Sequence, residues 1–107
     1  MANTTLFIKF MGDSPTVRIL DYLLTVREVD FSITDIAENA GIGRATLYRV
    51  WDDLTGNKIL IPTREIGRAR LYKLNMENPK IRKLAEIYDM IILEELRKKA
   101  KPRKIPA

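Results

Sequence analysis

Neither cysteine nor histidine occurs in the 107 residues. Without thiols the chain can form no disulfide and no thiolate metal site, which suits a reducing compartment. Without imidazole as well, it can build neither a zinc site of the usual ligands nor a serine–histidine triad. Carboxylates, lysine, tyrosine and hydroxyls remain, yet no glycine-rich phosphate loop or paired-carboxylate pattern is visible, so no enzyme is expected. No apolar run approaches the length of a membrane span, and the first residues lack a basic-then-apolar signal pattern. A soluble, cytoplasmic protein with no cofactor, metal or membrane partner is expected.

What the chain does have is unevenly placed charge. The net charge is +5. Residues 1–40 hold three basic and six acidic side chains, residues 41–83 ten and four, and residues 84–107 six and four. The positive block in the middle favours an approaching phosphate backbone. The length fits one domain, and a 46% hydrophobic content is enough for a core. A monomer of this size buries only about two-thirds of its unfolded surface, so further burial by self-association is expected.

The positive block begins within a stretch organised as two short helices, ITDIAENAGIGRATLYRV, Ile33 to Val50. Ala37 is small enough to let a second helix cross closely. Gly41 can take the positive φ that turns the chain sharply out of the first helix. Leu47 and Val50, three apart, share one face of the second helix, and with Trp51 and Leu54 they form an inward stripe. Arg44, Ala45, Tyr48 and Arg49 are left outside. A short helix with an exposed polar face and a basic start suits a DNA major groove.

Around this motif, Leu6 to Met11 (LFIKFM) is a short apolar run, readable as a strand or a short helix. Ser14-Pro15 is a cap followed by a first-turn proline, and Val17, Leu20, Leu23 and Leu24 continue it as a helix that ends before Glu28. Ser32 and Asp35 form a capping-box-like pair ahead of the motif's first helix. The second helix runs from Arg44 to about Leu54 and is broken by Gly56-Asn57. Ile59 to Glu65 and Ala69 to Leu74 read as antiparallel strands turning at Gly67, with Pro62 confined to a free edge or a strand start. Asn78-Pro79 opens a last helix to about Lys99. It carries apolar residues on more than one face, and the surplus at Leu84, Ile87, Tyr88, Ile91 and Ile92 is assigned to dimerisation. The expected organisation is an N-terminal extension (1–13) packing on core or partner, a DNA-binding domain (14–76), a dimerisation helix (77–98) and a basic, disordered tail (99–107).

The order helix, helix, helix, hairpin, helix resembles the winged helix-turn-helix regulators of archaea and bacteria, of the MarR/ArsR/PadR-like type. The resemblance rests on Asp35 to Leu54 (DIAENAGIGRATLYRVWDDL) and Glu65 to Asn75 (EIGRARLYKLN) and spans about 40 residues. It implies a mostly α fold with a β-hairpin wing and a homodimer on a pseudo-palindromic operator of double-stranded DNA. The recognition helix would lie in the major groove and the wing on the backbone or minor groove. Gly43 departs from the usual Ser or Thr cap, and the missing cysteines rule out an ArsR-type metal box or thiol redox sensing.

In that frame Arg44 contacts phosphate or base, and Ala45 and Thr46 meet a thymine methyl or a phosphate. Tyr48 and Arg49 read base edges, unless Tyr48 packs on the hairpin. Arg68 reaches the minor groove or its phosphates. Arg64 and Arg70 touch backbone, unless they pair across the strands with Glu65 or are simply solvated. Asp52 would oppose phosphate unless it accepts from a cytosine amino group or holds Arg49. Four to five phosphates per protomer imply a salt slope on the order of −7 to −9 for a dimer. A sequence-specific transcription regulator is the leading expectation. The alternatives are an architectural or partition-type protein that coats or bridges DNA, and a protein-interaction winged helix that binds none.

Overall fold

The computed structural model describes residues 4–100. Eight elements follow one another: α1 (Leu6–Met11), α2 (Pro15–Thr25), β1 (Phe31–Ser32), α3 (Ile33–Ala40), α4 (Arg44–Gly56), β2 (Leu60–Ile66), β3 (Ala69–Leu74) and α5 (Pro79–Ala100). The strands form one antiparallel sheet in the order β1-β3-β2.

Caps fix the helix starts. Thr5 Oγ1 accepts the Ile8 N–H at 3.2 Å, so the LFIKFM run resolves as a helix. Ser14 Oγ accepts the Val17 N–H ahead of Pro15, and Ser32 Oγ accepts that of Asp35, each at 3.1 Å. Gly43 precedes α4 with no side-chain cap bond.

Two helix ends share one hydrogen-bond pattern but not one residue type. At the end of α3, Gly41 (φ 73°) donates to Glu38 and Ile42 donates to Ala37, the double bond of a Schellman turn. At the end of α4, Lys58 donates to Thr55 and Ile59 to Leu54 in the same arrangement. Here the left-handed residue is Lys58 (φ 59°). The break expected at Gly56-Asn57 therefore falls later: Gly56 stays helical and the lysine takes the turn.

The core lies between α2, α3, α4 and the sheet. Ile19, Leu23, Leu24, Ile36, Leu47, Leu54, Leu60 and Leu74 are buried, and α1 and α5 close it with Phe7, Ile81 and Ala85. Ala37 is buried at the helix crossing. Trp51 is half-buried and meets Tyr72 edge-on at 4.8 Å, so its ring joins α4 to the hairpin.

Pro62 lies on the sheet's edge strand, where the β2–β3 register slips between Pro62 and Arg64. β1 was not expected: two residues leave no alternation to read, and pairing to Tyr72 and Leu71 creates the strand. α5 extends to Ala100, beyond the expected boundary at 98. The rest of the expected tail, 101–107, lies outside the described residues.

α1 packs Phe7 and Ile8 inward. Phe7 meets Tyr88 at 5.5 Å between ring centres, and Thr5 donates to Asp21 at 3.0 Å. Tyr88 also shares a 2.7 Å hydrogen bond with Thr25, and Arg27 lies 5.5 Å from its ring centre. Leu84, Tyr88 and Ile91 therefore pack against the chain's own core. Ile87 is exposed and Ile92 half-buried. Phe10 and Met11 of the LFIKFM run are exposed, as are Leu96 and, not singled out from the sequence, Met90 and Leu93 on α5.

Candidate nucleic-acid interface

Three elements meet around a cleft of about 310 Å³. The start of α3 contributes Ser32, Ile33 and Thr34. The first turns of α4 contribute Arg44 and Tyr48, and the wing contributes Arg68, Ala69 and Arg70. The α3–α4 turn at Gly41 places Arg44 beside the preceding helix. β1 binds the start of α3 to β3, which carries Ala69 and Arg70. The wing tip turns at Gly67 (φ 61°), a conformation that glycine takes without strain, and this sets Arg68 at the apex.

Within the cleft Arg44 donates to the Tyr48 hydroxyl at 3.1 Å, one turn along the same helix, and its guanidinium lies 5.9 Å from that ring's centre. Tyr48 is half exposed, so its ring is directed at this arginine and outward. Arg70 donates to Glu65 at 3.1 Å, and the two face each other across β2 and β3. That hydrogen bond, with a further one involving Tyr72, strengthens the Arg70 guanidinium's hold on its proton. No side-chain partner holds Arg68 among the described residues. Three cations and three hydroxyl-bearing side chains therefore line one recess. Such a recess can seat phosphate oxygens, through charge from the arginines and donors from Ser32, Thr34 and Tyr48.

The remaining candidates fall elsewhere. Ala45 and Arg49 are exposed on α4 and Thr46 is half-buried. Arg49 donates to Thr46 at 3.3 Å, and no ion pair joins it to Asp52 among the described residues. Arg64 does not enter the cleft. It turns to Asp30, with Nε 3.0 Å from Oδ2. Sequence reasoning offered Arg64 backbone contact or Glu65; nothing in the local pattern marked Asp30, 34 positions away. It also missed Ser32 and Thr34 as cleft residues, although a cap one helix upstream of α4 was a usable signal. Among the described residues no His, Cys, Asp or Glu cluster could hold a metal ion, and no helix is long and apolar enough to cross a membrane.

Residues 20–54 match the family model described as the helix-turn-helix domain of resolvase. No curated protein matches the chain by sequence. Solved structures do match by shape. The AntR antimony-specific transcriptional repressor superposes with a TM-score of 0.59 at 20% identity, over 86% of this chain and 78% of that one. Lactococcus lactis ZitR, as a doubly substituted variant in apo form, gives 0.64 at 17% identity over 91% and 76%. The homodimeric winged helix-turn-helix DNA-binding domain Mb0332 of Mycobacterium bovis, a possible ArsR-family transcriptional regulator, gives 0.55 at 18% over 86% and 80%. The element order, the three-stranded sheet and these likenesses agree: the chain is a winged helix-turn-helix protein.

Proposed function

We propose that the chain is a dimeric transcription regulator that binds double-stranded DNA, with α4 in the major groove and the wing on the backbone or minor groove. The observation that carries this is the cleft in which Arg44 and Tyr48 of α4 meet Arg68 and Arg70 of the wing. One phosphate strand passing between helix and wing would satisfy all four. Arg44 and Arg68 supply most of the affinity that is independent of sequence, and Arg70, already paired with Glu65, adds less. Ala45, Thr46, Tyr48 and Arg49, on the outer part of α4, supply base contacts.

The same reading accounts for α5. Ile87, Met90, Leu93 and Leu96 recur at every third position and are exposed, and Phe10 and Met11 of the adjoining α1 are exposed as well. A second copy covering the middle of this row, Met90 and Leu93, would set the spacing of two recognition helices. Two of the structural likenesses support the proposal: AntR is a repressor and Mb0332 is a homodimeric DNA-binding domain.

A gel shift with the chain's own upstream DNA tests it. Wild type should retain the DNA, and Arg44→Ala and Arg68→Ala should each weaken retention, by about 1–3 kcal/mol for a base or close phosphate contact. Equal retention by wild type and both variants at moderate salt would overturn the assignment of the cleft.

A further inference from the structure

The wing holds three arginines, but they do not offer equal charge to the outside. Arg64 approaches Asp30 with two prongs, Nε to Oδ2 at 3.0 Å and Nη2 to Oδ1 at 3.3 Å. The Thr63 hydroxyl donates to the same carboxylate at 2.6 Å. Asp30 immediately precedes β1, so this carboxylate links the residue before one edge strand to the opposite edge strand, β2, past β3. Thr63 is the residue passed over where the register slips, and a bulge of this kind re-aims side chains. The Asp30 side chain is 16% exposed and that of Arg64 62%. The acid is thus seated in the fold, and the arginine is the partner that reaches to it. Hydrogen bonds from Arg64 and Thr63 hold the Asp30 carboxyl below the usual carboxylate range, so it stays ionised at neutral pH. Arg70 is paired with Glu65, and Arg68 is left with no side-chain partner among the described residues.

A phosphate contact adds the same affinity to every DNA sequence. An arginine already held by a carboxylate must exchange one anion for another, so it adds little to that general term. We propose that Asp30 is a specificity-determining positioning residue. It holds Arg64 against the sheet and away from the DNA backbone, lowering affinity for arbitrary DNA so that binding depends on the contacts made by α4 and the cleft. This rests on the DNA-binding reading above. It assigns Arg64 a place opposite to the one its sequence context suggests.

The test is fluorescence anisotropy with an arbitrary duplex of about 30 base pairs, titrated over a series of salt concentrations. Asp30→Asn should bind this duplex several-fold more tightly at low salt, with a log–log salt slope steeper by about one per protomer. Arg64→Ala in the wild-type background should leave the slope unchanged, and adding it to Asp30→Asn should restore the wild-type slope. If Asp30 served only to brace the wing, Asp30→Asn would bind more weakly and its slope would not steepen; either result overturns the proposal. So does a slope shallower by about one in Arg64→Ala alone, which would mean that Arg64 already meets phosphate. The Arg64→Ala arm remains decisive if Asp30→Asn does not fold. Absence of salt-dependent binding by wild type overturns the DNA-binding reading and this one together. Normal wild-type binding with an unchanged Asp30→Asn slope overturns this one alone.

Discussion

Arg44 donates to the hydroxyl of Tyr48 at 3.1 Å across one turn of α4, and its guanidinium lies 5.9 Å from the centre of that ring. The pair sits at the mouth of the cleft facing the wing. On the proposed DNA-binding reading Arg44 would be directed before DNA arrives, which would reduce the ordering cost of the bound state. Tyr48→Phe keeps the ring and removes the hydroxyl. It should weaken DNA binding by about 0.5–1.5 kcal/mol, the worth of one hydrogen bond. Tyr48→Ala should weaken it more, because the ring is lost as well. Equal affinity of Tyr48→Phe and wild type in a gel shift would show that the hydroxyl does not aim Arg44.

Much of this fold is legible in local chemistry, and the exceptions share one cause. Ser14-Pro15, Ser32 and Gly41 announce their helix ends because capping depends on neighbours within four residues. Gly67 announces the wing turn for the same reason. β1 is silent because its two residues become a strand through Tyr72 and Leu71, some forty positions on. The partners of Arg64 and Tyr88 are silent too: Asp30, Thr25 and Phe7 are brought to them by tertiary folding. Leu84, Tyr88 and Ile91 illustrate the limit on α5. An apolar residue on a long helix reads the same whether it covers its own core or a second chain.

Gly41 and Lys58 occupy equivalent left-handed positions, so reciprocal substitutions should have opposite signs. Gly41→Ala forces a side chain into φ 73° and should destabilise by about 1–2 kcal/mol. Lys58→Gly removes the same strain at φ 59° and should stabilise by about 1 kcal/mol. Thermal unfolding followed by circular dichroism reads both, at about 4–8 °C per kcal/mol for a domain near this size. A fall in melting temperature for Lys58→Gly would show that the lysine side chain contributes more than its backbone strain costs.

Asp21 lies on α2 and accepts from Thr5, the N-cap of α1, at 3.0 Å. Burial raises its pKa, and the Thr5 hydrogen bond and the charge of Arg18 offset this only in part. The folded chain therefore holds this proton more tightly than the unfolded chain. Its stability contribution falls as pH rises through that window, and the penalty is fully present near neutrality. Asp21→Asn keeps an oxygen for Thr5 and removes the charge. It should raise the melting temperature near pH 7, and the gain should vanish below the unfolded aspartate value of about 4. Asp30 and Asp89 have the opposite sign: hydrogen bonds from Arg64 and Arg27 respectively lower their pKa values, so their contribution is lost as the medium is acidified. A gain for Asp21→Asn that persists unchanged into acid would show that the carboxylate's charge is not what destabilises it.

The exposed ridge of α5 gives the proposal of a dimer its most direct test. Met90 is 60% and Leu93 50% exposed, and neither belongs to the core, so charge there should leave the monomer's packing intact. In an interface the same charge would be buried without a partner. Met90→Glu combined with Leu93→Glu should convert a dimer to a monomer in light scattering, with little change in the melting temperature extrapolated to low concentration. Loss of the dimer should also remove the gain from binding two half-sites at once. DNA affinity should then fall far more than for Arg68→Ala, although no substituted residue touches DNA. A double variant that still scatters as a dimer would place the contact on another face. The spacing of the two recognition helices would then have to be set by something other than α5.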